Sequence, residues 1–189
     1  MVKDLIKKYL KYIYWKVYGK TICNPVLPSR IESILFICKG NICRSPFAEH
    51  IAVKCFSTLN RITCSSAGIN VNDPKSPPME AIVSARNFGI DLQGHMSRKI
   101  NYAMMQSYDL ITVMEAGQYN YLKREYREFR DKIFLLPLVD KRSRTSGNPY
   151  HIYNIEDPYG KNVARYNDCY RRIHDCLEDL FSLVNSEKM

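Results

Sequence analysis

Cys38 and Arg44 bracket the loop Lys39-Gly40-Asn41-Ile42-Cys43 and are followed directly by Ser45-Pro46. A tight loop that runs into a helix start aims its backbone amides at one point, where they hold an anion and favour a thiolate. A guanidinium at the loop's end offers a planar fork to two oxygens of a phosphoryl group, in the ground state and as charge redistributes. These residue types suit cleavage of a phosphate ester, with Cys38 attacking phosphorus to form a thiophosphate. Gly40 permits close approach of backbone to the anion, and Asn41 tolerates the left-handed conformation of a tight loop. Ser45 can donate to the Cys38 sulfur and ease its departure. This chemistry calls for no metal and no cofactor.

The elements that position such a loop follow from the pattern around it. Ile31 to Ile37 reads as a strand, and its unbroken apolar run Ile34–Ile37 indicates burial on both faces, as in a parallel sheet. Helices are expected from Ser45 to about Leu59, from Pro78 to Asn87, from a Ser97 cap to Met105, from Ala116 to about Phe129 and from Val163 to Val184. Strands are expected at 61–66, 110–114 and 133–136, the last broken by Pro137. Residues 139–156 carry no clear period and read as a mobile loop leading to Asp157-Pro158-Tyr159. Alternating strands and helices imply a three-layer αβα fold with a four-stranded parallel sheet, whose ligands bind beyond the carboxyl ends of the strands. The Cys38 loop follows the first strand and lies at such an end.

The net charge of +9 is unevenly spread. Residues 1–30 hold seven Lys/Arg against Asp4, a net +6, whereas residues 31–189 hold 21 basic and 18 acidic residues, a net +3. The basic character thus belongs to an N-terminal extension, 1–30, ahead of one domain at 31–185. No zinc-finger spacing or aromatic-rich RNA-binding motif accompanies it, so nucleic acid is not expected as a partner. Within the extension, residues 4–18 read as a helix with Ile6, Leu10, Ile13 and Val17 on one stripe and Gly19 as its cap. Its lysines and tyrosines leave three readings open: a peripheral membrane anchor, a helix packed on its own domain or a partner, or a partly disordered segment. Asn24-Pro25 and Pro28-Ser29 read as a linker. The seven cysteines are an odd number with no secretory leader and no apolar span of membrane-crossing length, which places the chain in the cytoplasm with free thiols.

The nine residues Cys38 to Pro46 resemble the signature of the low-molecular-weight protein tyrosine phosphatases. Ser65-Ser66-Ala67-Gly68, Gly89 to His95, Asp109 to Glu115 and Ile155 to Tyr159 are similar to further segments of that family, and the resemblance spans about 31–185. It implies a phosphotyrosine phosphatase with Cys38 as nucleophile, Arg44 as phosphate clamp and Asp157 as the acid that protonates the leaving phenolate and then activates water. It further implies that Lys39, Gly40, Asn41, Ile42, Cys43, Ser45 and Tyr159 surround the substrate, with Tyr159 beside the phenyl ring. Asn41, Ser45, Ser66 and His95 resemble the network that holds the loop. Cys43 is either a wall residue or, as the resemblance implies, the partner of Cys38 in a reversible disulfide. Lys39 stands where the family often has an apolar residue, which favours acidic flanks in a substrate. An aromatic wall is not evident in Ile69–Asn72.

Three rivals share these features: a thiol-coupled arsenate reductase, a protein-arginine phosphatase and a non-catalytic phosphotyrosine-binding module. The first needs relay cysteines, and none lies between Cys64 and Cys169. In the second, the resemblance places threonine where this chain has Ile42. Cys55, Cys64, Cys169 and Cys176 read as small core hydrophobes, and His50, His151 and His174 as ordinary histidines. The Leu92–His95 and Glu115 segments look most like bacterial phosphatases paired with tyrosine kinases of polysaccharide export, which would make such a kinase a substrate.

Overall fold

Four short strands, β1 (Ser33–Cys38), β2 (Thr63–Gly68), β3 (Leu110–Val113) and β4 (Ile133–Leu135), form one parallel sheet in the order β2-β1-β3-β4. The computed structural model describes residues 2–57, 62–140 and 148–186. Because successive side chains of a strand point to opposite faces, β1 sends Ile34, Phe36 and Cys38 one way and Leu35 and Ile37 the other. Both sets are buried, which is why the strand shows no alternation.

On the first face lie α2 (Arg44–Cys55), α3 (Met79–Arg86) and α7 (Val163–Ser186), joined through Phe47, Ile51, Ala81, Ala85, Tyr170 and Leu177. Phe47 and Tyr170 stack at 3.9 Å between ring centroids. On the second face α4 (Tyr102–Ser107) and α5 (Ala116–Glu125) contribute Met105, Tyr119 and Leu122. Helices on both faces complete the three-layer αβα fold expected from the alternation.

β1 occupies the point where the connections diverge, toward β2 on one side and β3 on the other. Parallel sheets open a crevice beyond the strand ends at such a point. Cys38 ends β1 and Glu115 follows β3 by two residues, so both stand at that crevice.

The N-terminal segment departs from a free linker. Helix α1 (Val2–Tyr18) runs into a 3-10 turn at Gly19–Thr21, and α1 packs on α6 (Pro149–Tyr153). Gly19 is not in the left-handed region; its role is room, since a Cβ there would overlap the Tyr153 ring. Ile22 enters the second core, and Tyr119 Oη donates to the Cys23 carbonyl at 2.5 Å. Asn24 meets both backbone groups of Leu135, at 3.1 and 2.6 Å, and so satisfies part of the open edge of β4.

Other boundaries shift for physical reasons. Ser97 does not cap a helix: its hydroxyl accepts from Lys75 N at 2.9 Å, while Asn101 caps α4 through Met104 N. α5 ends at Glu125 and a 3-10 stretch, Arg127–Lys132, continues to β4. α6 interrupts the stretch read as loop, with Asn148 as its cap. The expected end of α2 at Leu59, the start of β2 at Arg61 and the Lys141, Arg142, Arg144 and Gly147 part of the 139–156 loop lie outside the described residues.

Candidate active site

The chain leaves β1 at Cys38, turns through 39–43 and enters α2 at Arg44. Asn41 N donates to Cys38 Sγ at 3.2 Å, and Ser45 Oγ lies 3.1 Å from the same sulfur. Asn41 adopts φ 53°, the left-handed conformation that asparagine tolerates better than most residues. Its buried side chain is a hub: Nδ2 donates to Ser45 Oγ at 2.9 Å and Ser66 Oγ at 2.8 Å, and Oδ1 accepts from Arg98 N at 2.9 Å. Since Asn41 fills an acceptor site on Ser45, the serine proton is directed either to Cys38 or to the Ala67 carbonyl 3.3 Å away.

A second ring of contacts holds this hub. His95 Nε2 is 2.8 Å from the Asn41 carbonyl, which can only accept, so that ring nitrogen carries the proton. Burial lowers the His95 pKa, consistent with a neutral ring. Ser66 Oγ donates to Glu49 at 2.6 Å, and Arg98 Nε donates to the Ser66 carbonyl at 2.8 Å. Gly68 is required at the end of β2, because a Cβ there would lie 2.9 Å from Asn41 N.

Arg44 is 1% exposed and tied from three sides. Nη1 donates to the Glu115 carboxylate and, at 3.0 Å, to the Ile155 carbonyl; Nη2 lies 2.7 Å from Asp157 Oδ2. Burial works against its charge, but the negative groups at Cys38, Asp157 and Glu115 outweigh it and raise its pKa. Arg44 Nε is buried with no hydrogen-bond partner among the described residues. An orphaned charged donor is costly, and an oxygen of a bound anion is the acceptor it suits.

Asp157 reaches this arginine because backbone and asparagine contacts fix the segment before it. Ile155 N donates to the Met114 carbonyl at 2.8 Å, and Asn154 pairs with Glu115 in an antiparallel bridge. The buried Asn154 side chain accepts from Ala116 N at 3.2 Å and donates to the Tyr150 carbonyl at 2.9 Å. Arg172 of α7 donates to the carbonyls of His151 and Asn154. Beyond the acid, Pro158 is buried and Tyr159 is exposed, with Tyr159 N donating to Asp157 Oδ1 at 3.3 Å.

Cys38, Lys39, Gly40, Ile42, Cys43, Arg44, Asp157 and Tyr159 line one cleft of about 310 Å³. Asn41, Ser45, Ser66 and His95 stand behind the loop. Every site residue expected from sequence therefore falls in the cleft or in the network supporting it. Asn70, Val71, Asn72 and Asp73 form a wall without an aromatic ring, and Lys75 adds a second cation beside Lys39. Cys43 Sγ lies 3.6 Å from Tyr166 Oη, and burial pushes its thiol up to about 12. Cys169 and Cys176 are buried in the core, and Cys55 and Cys64 are half-buried at its margin.

Sequence reasoning missed Glu115, Glu49, Arg98 and Asn154. Glu115 ended a segment carrying the family resemblance and Asn154 stood one residue before another, yet nothing in their spacing marked them as partners of Arg44 and of the acid segment.

Comparison with known proteins decides the family. The model of the family described as low molecular weight phosphotyrosine protein phosphatase matches residues 33–189. The chain belongs to this family. It is accordingly a protein tyrosine phosphatase, a hydrolase acting on phosphotyrosine. The low molecular weight protein-tyrosine-phosphatase Etp of Escherichia coli (strain K12) is 31% identical over 149 residues, covering 79% of this chain and 89% of its own. The tyrosine phosphatase Wzb from Escherichia coli K30, solved in complex with sulphate, is 28% identical at a TM-score of 0.70, covering 82% and 99%. The YwlE arginine phosphatase from Geobacillus stearothermophilus has the same fold, at a TM-score of 0.71 and 23% identity over 83% of this chain and 95% of its own. Among the described residues no helix is long and apolar enough to cross a membrane.

Proposed function

We propose that this phosphatase hydrolyses phosphotyrosine through a cysteinyl-phosphate, with Cys38 as nucleophile, Arg44 as clamp and Asp157 as general acid and base. One observation carries the reading: the guanidinium that ends the Cys38 loop also holds Asp157 at 2.7 Å, so nucleophile, clamp and acid converge on one anion site. Cys38 Sγ attacks phosphorus while Asp157 protonates the departing phenolate oxygen, and the tyrosine leaves. Asp157, now ionised, takes a proton from water that attacks the thiophosphate, and Ser45 donates to the departing sulfur. Lys39, Gly40, Asn41, Ile42, Cys43 and Ser45 shape the anion site, Tyr159 flanks the phenyl ring, and Ser66 and His95 support the loop. Loss of the Asp157–Arg44 contact on substrate entry frees Nη2, beside the orphaned Nε, for two phosphoryl oxygens.

Residues 31–185 form the catalytic domain and residues 1–30 a basic extension. The protein works in the cytoplasm, and residues 4–18 bring it to a membrane surface. Its substrate is a tyrosine-phosphorylated protein; the likeness to Wzb and Etp supports a tyrosine kinase of polysaccharide export. Cys38 and Cys43 form a reversible disulfide that shields the nucleophile.

The test is turnover of a phosphotyrosyl peptide against a phosphoarginyl peptide, without added metal, by the native chain and Cys38→Ser. The expected result is phosphotyrosine hydrolysis that falls by roughly 10⁴-fold or more in the variant. Retained turnover in Cys38→Ser rejects the mechanism, and preference for phosphoarginine rejects the substrate.

A further inference from the structure

Helix α1 docks on the domain with an unexpected face. Its contacts to the domain come from Lys11, Trp15 and Tyr18, one helical stripe: against α6, Trp15 stacks on Tyr153 at 5.9 Å and meets Tyr150 edge-on at 5.6 Å, and Lys11 Nζ sits 4.1 Å from the Tyr150 ring centroid. Tyr18 Oη accepts from Asn120. The apolar stripe lies round the far side of the helix. Ile6, Leu10, Ile13 and Val17 remain 53, 61, 38 and 66% exposed, and Leu5 and Tyr9 beside them 62 and 65%. Elsewhere on the domain the exposed large apolar side chains are single or, as Met79 and Val83 of α3, paired, so among the described residues α1 carries the longest exposed apolar stripe.

We infer that α1 is an interfacial helix that lays its Ile6/Leu10/Ile13/Val17 stripe into an anionic lipid surface while its Lys11/Trp15/Tyr18 stripe keeps it attached to the domain. The inference rests on the membrane contact proposed above and assigns its face, its lipid chemistry and its consequence. Three features favour lipid. Lys7 and Lys16 are exposed at the two margins of the stripe, where ammonium groups reach headgroups while the stripe enters the acyl boundary. Tyr9, Tyr12 and Tyr14 are exposed around it, and such rings suit the headgroup level. The extension carries a net +6, which an anionic surface attracts. A second copy of the chain is disfavoured by that same charge, because pairing stripe to stripe would bring two such extensions together. With the helix held on α6, the cleft that contains Asp157 stays within a domain's width of the lipid, suited to phosphotyrosines displayed near the membrane.

The test uses the full chain, co-sedimented at low and high salt with vesicles of phosphatidylcholine alone or mixed with phosphatidylglycerol. The native chain is expected to bind the mixed vesicles at least about tenfold better than phosphatidylcholine alone, and less well as salt rises. Leu10→Asp/Ile13→Asp is expected to lose binding by about tenfold or more, and Lys7→Glu/Lys16→Glu to lose the preference for anionic lipid. Both variants are expected to turn over a small aryl phosphate at the native rate, which shows that the domain is folded. No binding of the native chain to either vesicle overturns the membrane contact itself. Binding that Leu10→Asp/Ile13→Asp leaves intact overturns the assigned face, and binding equal on both vesicles overturns the lipid chemistry. Self-association of the native chain that this variant abolishes assigns the stripe to a second copy instead.

Discussion

The Cys38–Ser45 loop and the Asn154–Tyr159 segment form opposite walls of one cleft but are secured by different means. The loop is fixed by side chains: Asn41, with no exposed surface, ties together the loop, α2, β2 and the backbone at Arg98, and Glu49 and His95 extend the web. The acid segment is fixed from its backbone, through Ile155, the Asn154 bridge and the Arg172 contacts, while the Asp157 carboxylate remains 37% exposed. An anion cradle must not move as charge develops, since its stabilisation depends on preorganisation. A proton donor must meet a leaving group that arrives and departs, and a half-exposed carboxylate suits that task. The two walls are joined at one guanidinium, Arg44.

The comparison breaks most sharply at Asp157. Asp157→Asn keeps the size of the side chain but removes the acid, and a loss of roughly 10²–10³-fold in kcat is expected with a phosphotyrosyl peptide. With an activated aryl phosphate, whose leaving group needs little protonation, the loss in the first chemical step is expected to be much smaller. Single-turnover kinetics on both substrates make the check, and equal losses would mean that Asp157 acts on Arg44 rather than on the leaving group.

On the loop side, Asn41→Ala removes three side-chain hydrogen bonds and leaves alanine at φ 53°. Unsatisfied partners cost about 1–3 kcal/mol and the left-handed backbone about 1–2 kcal/mol more, so urea denaturation is expected to show a loss of about 2–5 kcal/mol. Turnover falls for both the peptide and the activated ester, because the cradle serves every phosphoryl group alike. A leaving-group dependence like that of Asp157→Asn would show that the walls are not separately held.

His95 gives the loop a pH signature. Its folded-state pKa is lowered by burial, so between the ordinary imidazole value near 6.5 and that lower value the unfolded chain binds the extra proton. This contribution to stability is complete above the ordinary value and is lost as pH falls through it. Denaturation midpoints are expected to decline more steeply below about pH 6.5 in the native chain than in His95→Gln; parallel declines would place the effect elsewhere.

The same contrast governs what the sequence makes legible. The loop is contiguous, so Cys38, Asn41, Arg44 and Ser45 announce an anion cradle together, and β1 beside it is marked by burial on both faces. Glu115 and Glu49 were not legible, because their partners Arg44 and Ser66 lie on other elements, brought to them by the packing of the sheet and α2 with no local pattern. α6 is only five residues long, too short for a 3.6-residue period to emerge beside Asn148-Pro149, so its stretch read as loop. Gly19 shows a further limit: a glycine after a helix signals a left-handed cap or a close approach, and only the Tyr153 ring decides between them. The stripe of α1 was visible, but which face meets the domain depended on the aromatic rings of α6.

That aromatic contact is the gentlest way to probe the acid wall. Trp15 stacks on Tyr153, the residue before Asn154, and Asn154 anchors the segment leading to the Ile155 carbonyl and Asp157. An aromatic pair of this kind is worth about 0.5–1.5 kcal/mol beyond its buried area, and Trp15→Ala forfeits it without touching the cleft. If about half of that energy steadies α6 against the bridge at Glu115, turnover of the phosphotyrosyl peptide falls by roughly 1.5- to 3.5-fold. A positioning role predicts that the activated ester, which makes little demand on Asp157, is affected less, and that Trp15→Phe restores most of the rate. Equal slowing of both substrates, or no rescue by phenylalanine, would mean that α1 is attached to the domain without helping to hold its acid.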